Sequence, residues 1–177
     1  MRRFMGLLVF VTLLVGLIAA GGCGTKSGTV NTPQGDIKYD SAKKEVTLTS
    51  GNVTKTWTVE SASEATLGVP VPSNAKLQQG SVALVTEKGN DQKWTGATYW
   101  SSDDVSTVVN YYKSQLSGMS GYTDASTTQD GVLIGLFTVR TGDSAKSVVV
   151  GAGKSGDPGK TKIVISTAAG TGITGTP

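Results

Sequence analysis

The chain has 177 residues, with 16 Lys+Arg against 13 Asp+Glu, a formal net charge of +3 and no histidine. The missing histidine removes the commonest general base and the commonest metal ligand together, and the single cysteine, Cys23, excludes an intrachain disulfide and a thiolate metal cluster. Two of the basic residues are Arg2 and Arg3, so residues 23–177 hold 14 basic against 13 acidic side chains, and no Lys/Arg cluster in them is of the kind that tracks a nucleic acid.

Met1-Arg2-Arg3 is a short cationic start. Phe4 to Ala20 follows, 17 residues without a charge and rich in Leu, Val and Ile. That is short for a spanning helix, which needs about 20 residues, and it matches the apolar core of an export signal. Small side chains come next, as a signal peptidase requires. The four residues Ala20-Gly21-Gly22-Cys23 resemble the lipobox of bacterial lipoproteins. The resemblance implies diacylglyceryl transfer to the Cys23 thiol, cleavage between Gly22 and Cys23, and an extracytoplasmic protein held on a membrane by its lipid. The commonest lipobox has Leu where this chain has Ala20. Two other outcomes fit the same stretch: ordinary secretion with Cys23 a free thiol, and an uncleaved membrane anchor. Each buried methylene contributes roughly 0.8 kcal/mol, so two long acyl chains hold a protein on a bilayer where one binds only marginally. In two-membrane bacteria, Asp after the cysteine often signals retention at the inner membrane. Gly24 stands there, which leans towards the outer membrane where one exists and otherwise leaves the outer face of the plasma membrane.

Residues 23–35 read as the acylated cysteine and a flexible tether of Gly, Ser, Thr and Asn. Residues 36–60 read as an N-terminal hairpin region: Ile37 and Tyr39 alternate, Val46 and Leu48 repeat the pattern, Ser50-Gly51-Asn52 is a turn, and Val53 to Val59 alternates through Trp57. Residues 61–73, with Pro70 and Pro72, read as a linker. The main domain is expected over 74–167, with strands at Ser81 to Thr86 and Trp94 to Trp100. A helix is expected over about 101–117, because Val105, Val108, Val109, Tyr112 and Leu116 recur at helical spacing. Ser101 and Ser102 are cap candidates, Asp103 and Asp104 suit a helix start, and Gly118 stops it. Further strands are expected at Val132 to Arg140, Ser147 to Ala152 and Lys162 to Ser166. Residues 168–177 read as a flexible tail. The fold class predicted is α+β, an antiparallel sheet with one amphipathic helix across one face.

This order resembles a broad group of uncharacterised bacterial lipoproteins. The residues that carry the likeness are the Val-Pro-rich lead-in Val69-Pro70-Val71-Pro72-Ser73-Asn74-Ala75-Lys76, the strand pair after it, and the helix with Asp104-Val105, Tyr111-Tyr112-Lys113 and Leu116. It spans roughly Leu67 to Ser166. Many relatives have Tyr-Pro-Gly where this chain has Val71-Pro72-Ser73. The resemblance implies a fold and carries no activity or site residues.

Four features are candidates for chemistry. The loop from Gly153 to Thr161 looks like a phosphate loop, but Lys154 stands where its first glycine belongs, and the loop joins two expected strands. Asp103 and Asp104 are adjacent carboxylates, expected to act as helix-start charge. Lys113 and Ser114 are the nearest thing to a Ser–Lys nucleophile, in poor geometry on a helix. Trp94 and Trp100 are six apart, which puts both on one face of a strand with Gly96 and Thr98 between them and Ala97 and Tyr99 on the other face. If exposed, they offer a stacking surface for a sugar ring or a partner; the competing expectation is core packing. No catalytic residue, metal site, cofactor or nucleotide is predicted. The function expected is a lipid-anchored, non-enzymatic module that binds or organises an envelope partner. A small-ligand or glycan receptor using Trp94 and Trp100 is the alternative, and a Ser/Thr–Lys hydrolase is a weaker one.

Overall fold

The computed structural model describes residues 27–32, 35–40, 42–61, 64–78, 81–87 and 92–170. The lipobox, Ala20 to Cys23, lies outside the described residues, as does the last part of the expected tail.

The meander that opens the fold has four strands, β1 (Ser27–Thr32), β2 (Gly35–Asp40), β3 (Glu45–Ser50) and β4 (Val53–Ser61). A single turn of 3-10 helix, Glu64–Leu67, leads to β5 (Lys76–Leu77), β6 (Ala83–Glu87) and β7 (Lys93–Ser101). The helix α1 (Val105–Leu116) comes next. Among the described residues five strands follow: β8 (Thr123–Asp124), β9 (Thr127–Gln129), β10 (Val132–Thr141), β11 (Ser144–Ala152) and β12 (Thr161–Ala169). All the pairings are antiparallel. Among the described residues they form one 12-stranded sheet in the order β1-β2-β3-β4-β6-β7-β12-β11-β10-β8, with β5 beside β7 and β9 beside β10. The protein is therefore mostly β. The expected α+β balance is corrected, because one 12-residue helix lies against a sheet that takes up most of the described residues.

The helix forms where its apolar spacing places it. Val108, Val109, Tyr112 and Leu116 are buried, and they pack with Phe137 and Val139 of β10, Val148 and Val150 of β11, Ile163 and Ile165 of β12 and Tyr99 of β7. Its start falls four residues later than expected. Ser101 is still paired in β7, opposite Thr161, and Asp104 takes the N-cap place with extended backbone, its carbonyl accepting from the Thr107 and Val108 amides. Close seating of α1 depends on Gly135, where an added Cβ would stand 2.8 Å from Val109 Cγ2 and 3.0 Å from the Phe137 ring.

The stretch read as a linker also lies on the helix side. Leu67 is fully buried in this first core, Val69 and Val71 pack against it, and the Gly68 carbonyl accepts from Lys146 Nζ at 2.7 Å. A second core forms on the opposite face of the sheet from Ile37, Val46, Trp57, Val59, Val85 and Trp94. Strand register shows why there are two. Ala97 and Tyr99 of β7 face α1, whereas Trp94 faces Val85 of β6 and Ala168 of β12 on the other side.

The tether expectation is corrected at Ser27–Thr32, which pairs with all six residues of β2. This strand has no apolar alternation, so its side chains give no signal, and the backbone ladder holds it.

Along one edge, β7 is shared. Residues 93–96 pair with β6, and Tyr99 and Trp100 pair with β5. In the gap the Ser81 side chain takes the part of a strand: its Oγ accepts from the Thr98 amide at 3.0 Å and lies 3.1 Å from the Thr98 carbonyl and 2.7 Å from the Gln78 carbonyl. The Gln78 amide also donates to Thr98 O, at 2.8 Å.

Candidate functional site

The two tryptophans lie on one face of β7, as their spacing predicts, but neither ring is presented to solvent: each is only 8% exposed. Of the two expectations, their burial agrees with core packing and not with an exposed stacking surface. β7 is a central strand with β12 along one edge and β5 and β6 along the other, and all its residues except Lys93 are buried. Trp94 belongs to the second core. Trp100 donates from Nε1 to Gln78 Oε1 at 3.0 Å, and Lys162 Nζ stands 5.7 Å from its ring centre. Gly153 and Gly159 crowd the same side chain, since an added Cβ would stand 3.2 Å from the indole ring at Gly153 and 3.1 Å from the Trp100 Cβ at Gly159. Six residues of strand separate the two rings by about 20 Å, too far for one sugar to bridge. The pair works as two internal anchors rather than as a platform.

The phosphate-loop lookalike is the hairpin connection between β11 and β12, and no helix follows it. Ser102, Gly153, Lys154, Asp157, Gly159 and Lys160 are among the residues that line an open depression of about 540 Å³ there. The loop fills its own donors. The Lys154 amide is taken by Asp157 Oδ2 at 2.6 Å, and the Gly153 amide by the Lys160 carbonyl at 2.7 Å. Lys160 Nζ lies 3.4 Å from Asp104 Oδ1, with both groups well exposed, so this contact contributes little.

Asp103 and Asp104 do not share a partner. Asp104 faces Lys160, while the Asp103 backbone carbonyl accepts from Thr161 Oγ1 at 2.6 Å and its amide donates to Ser101 Oγ. Nor do Lys113 and Ser114 act together: Ser114 Oγ donates to the Tyr111 carbonyl, and Lys113 Nζ pairs with Asp124 at 3.1 Å. Burial works against ionisation of the Asp124 carboxyl, but hydrogen bonds from Ser126 and the Lys113 ammonium outweigh it and hold the group below the usual carboxylate range.

Among the described residues, three buried side-chain polar atoms make no hydrogen bond: Tyr112 Oη, Ser147 Oγ and Arg140 Nε. Ser147 and Arg140 lie on the sheet face away from α1, since Val148 and Val139 beside them in the chain face the helix. Tyr112 lies inside the first core, its ring 6.0 Å from Phe137 and 5.2 Å from Tyr111. Nothing in the sequence marks these atoms, because each sits at an ordinary strand or helix position and only the packing around it removes its partners. Among the described residues no group of His, Cys, Asp and Glu is placed to hold a metal ion, and no helix is long and apolar enough to cross a membrane.

Compared with protein-family models, curated proteins and solved structures, the chain matches none.

Proposed function

We propose that the chain is an exported protein anchored at Cys23 by lipid, and that its sheet body is a non-enzymatic module that binds or organises a partner at the bacterial envelope. The observation that carries this reading is the uncharged run Phe4 to Ala20 ending in Ala20-Gly21-Gly22-Cys23, with the chain's one cysteine at the acceptor place. The lack of histidine, the ion pairs that take up Lys113 and Asp104, and the Ser114 hydroxyl bonded to its own helix favour binding over chemistry. Strand β1 starts at Ser27, four residues past Cys23, so the length of the backbone between them limits Ser27 to within about 14 Å of the anchor.

Metabolic labelling with an alkyne fatty acid tests the anchor. The wild-type protein takes up the label and sediments with membranes. Cys23→Ser loses the label and moves to the soluble or uncleaved fraction. An unlabelled wild type, or a Cys23→Ser protein with unchanged fractionation, refutes the reading.

A further inference from the structure

The two edges of the sheet are built differently. The β8–β9 edge is broken into short pieces, two residues in β8 and three in β9, and it carries Asp124 paired to Lys113. Such interruptions and charges are the usual means by which an edge is kept from pairing with another strand. The β1 edge has none of them. Ser27-Gly28-Thr29-Val30-Asn31-Thr32 is paired along its whole length on one side, has no proline and no charge, and leaves Gly28, Thr29, Val30 and Asn31 exposed. Val30 is 42% exposed. Among the described residues no strand pairs with the outer side of Gly28 to Asn31.

We infer that β1 is the contact strand of a symmetric dimer, pairing antiparallel with β1 of a second copy so that the two sheets run on as one. The occupant is a second copy because the strand suits itself. It is neutral throughout, so no like charges meet when it is laid against its own image, and an isologous antiparallel pair closes after two chains. The partner-facing row is main chain, whose N–H and C=O groups give the affinity in strand addition.

The inference rests in one respect on the lipid-anchor reading, which brings the copies together. Chains held in one membrane plane, each with β1 within about 14 Å of its lipid, meet at high effective concentration. The geometry also permits it. The two-fold axis of an antiparallel strand pair is normal to the sheet and passes beside a residue that faces its own image; with Thr29 or Val30 in that place the two Ser27 residues stand about 14 or about 20 Å apart along the strands. Both lipids reach one leaflet when that axis is normal to the membrane, so in the dimer this edge of the sheet lies flat on the bilayer.

Single cysteines placed at Gly28, Thr29, Val30 and Asn31 of the full chain, expressed in a bacterium that processes lipoproteins, test this by oxidation in isolated membranes. The expected result is a disulfide-linked dimer whose yield peaks at one position and falls on both sides of it, as a two-fold axis demands. Ser114→Cys, on the exposed side of α1, gives little. In the background of the best cross-linking variant, Lys or Pro introduced at a neighbouring β1 position lowers the yield at least about fivefold, and unchanged tryptophan emission shows an intact fold. Absence of dimer, or equal yield at every position including 114, overturns the inference. A wild-type dimer joined through Cys23 instead marks a free thiol. That outcome sinks the anchor reading and removes the membrane argument for the dimer with it, whereas a labelled, membrane-bound protein without β1 cross-links sinks the dimer alone.

Discussion

Tyr112→Phe is the most informative single substitution in the core. The Tyr112 side chain is fully buried, its hydroxyl has no hydrogen-bond partner, and its ring is held between Phe137 and Tyr111. Removing one oxygen keeps the ring, its buried area and both ring contacts. A hydroxyl left buried without a partner costs about 1–3 kcal/mol by mutational measure. The variant is therefore expected to be more stable by about 1 kcal/mol or somewhat more, a rise in Tm of roughly 3–5 °C. Denaturant unfolding at neutral pH, with the slope unchanged, measures it.

The same group gives a pH signature. Burial first, then the neighbouring Tyr111 and Tyr99, raise the Tyr112 phenol far above the ordinary tyrosine value of 10.0. Its folded value lies above its unfolded one, so the contribution is complete below pH 10 and is lost as pH rises beyond it, when only the unfolded chain ionises. The advantage of the Phe variant should accordingly widen by about 1.4 kcal/mol between pH 9 and pH 11. A loss of 1 kcal/mol or more at neutral pH, or an advantage that does not grow with pH, would refute the reasoning by showing that the hydroxyl is bonded or hydrated.

Three further substitutions, one with a control beside it, test other parts of the fold. Ser81→Ala strands the Thr98 amide in the gap between β5 and β6 and should cost about 1–3 kcal/mol in chemical denaturation; a neutral result would mean that the strand ends close the gap unaided. Gly135→Ala forces a methyl group against Val109 and Phe137 and should lower stability by about 1–3 kcal/mol, whereas Gly151→Ala on β11, where a Cβ meets nothing within 4 Å, should change it little. Trp94→Ala empties part of the second core and should cost about 3–5 kcal/mol; an intact fold with only an altered ligand affinity would restore the surface-aromatic reading.

Much of the body can be read from side-chain periodicity. The five positions that define α1 include its four buried residues, and the alternating runs at Ile37 to Tyr39, Val46 to Leu48 and Val53 to Val59 all fall within strands. The turn at Gly51 and the hairpin loop 153–160 also fall where glycine and proline place them. What stayed hidden had physical causes. β1 is held by its backbone ladder, and its polar side chains look like those of a tether. The Leu67 to Val71 stretch packs on the core with no repeat to reveal it, and its prolines point only to the absence of a central strand. For Trp94 and Trp100 the shared face was legible but the exposure was not. Exposure depends on β7 lying in the middle of the sheet, a property of strand order that no local pattern encodes.

That central place makes β7 a party wall. Tyr99 leans into the helix-side cluster, while Trp94, five residues earlier, closes the cluster on the far side. Neither compartment has a complete boundary without this strand. Heat should therefore not melt the front and back of the molecule in turn: calorimetry should record a single endotherm, and loosening of β7 should empty both rooms together.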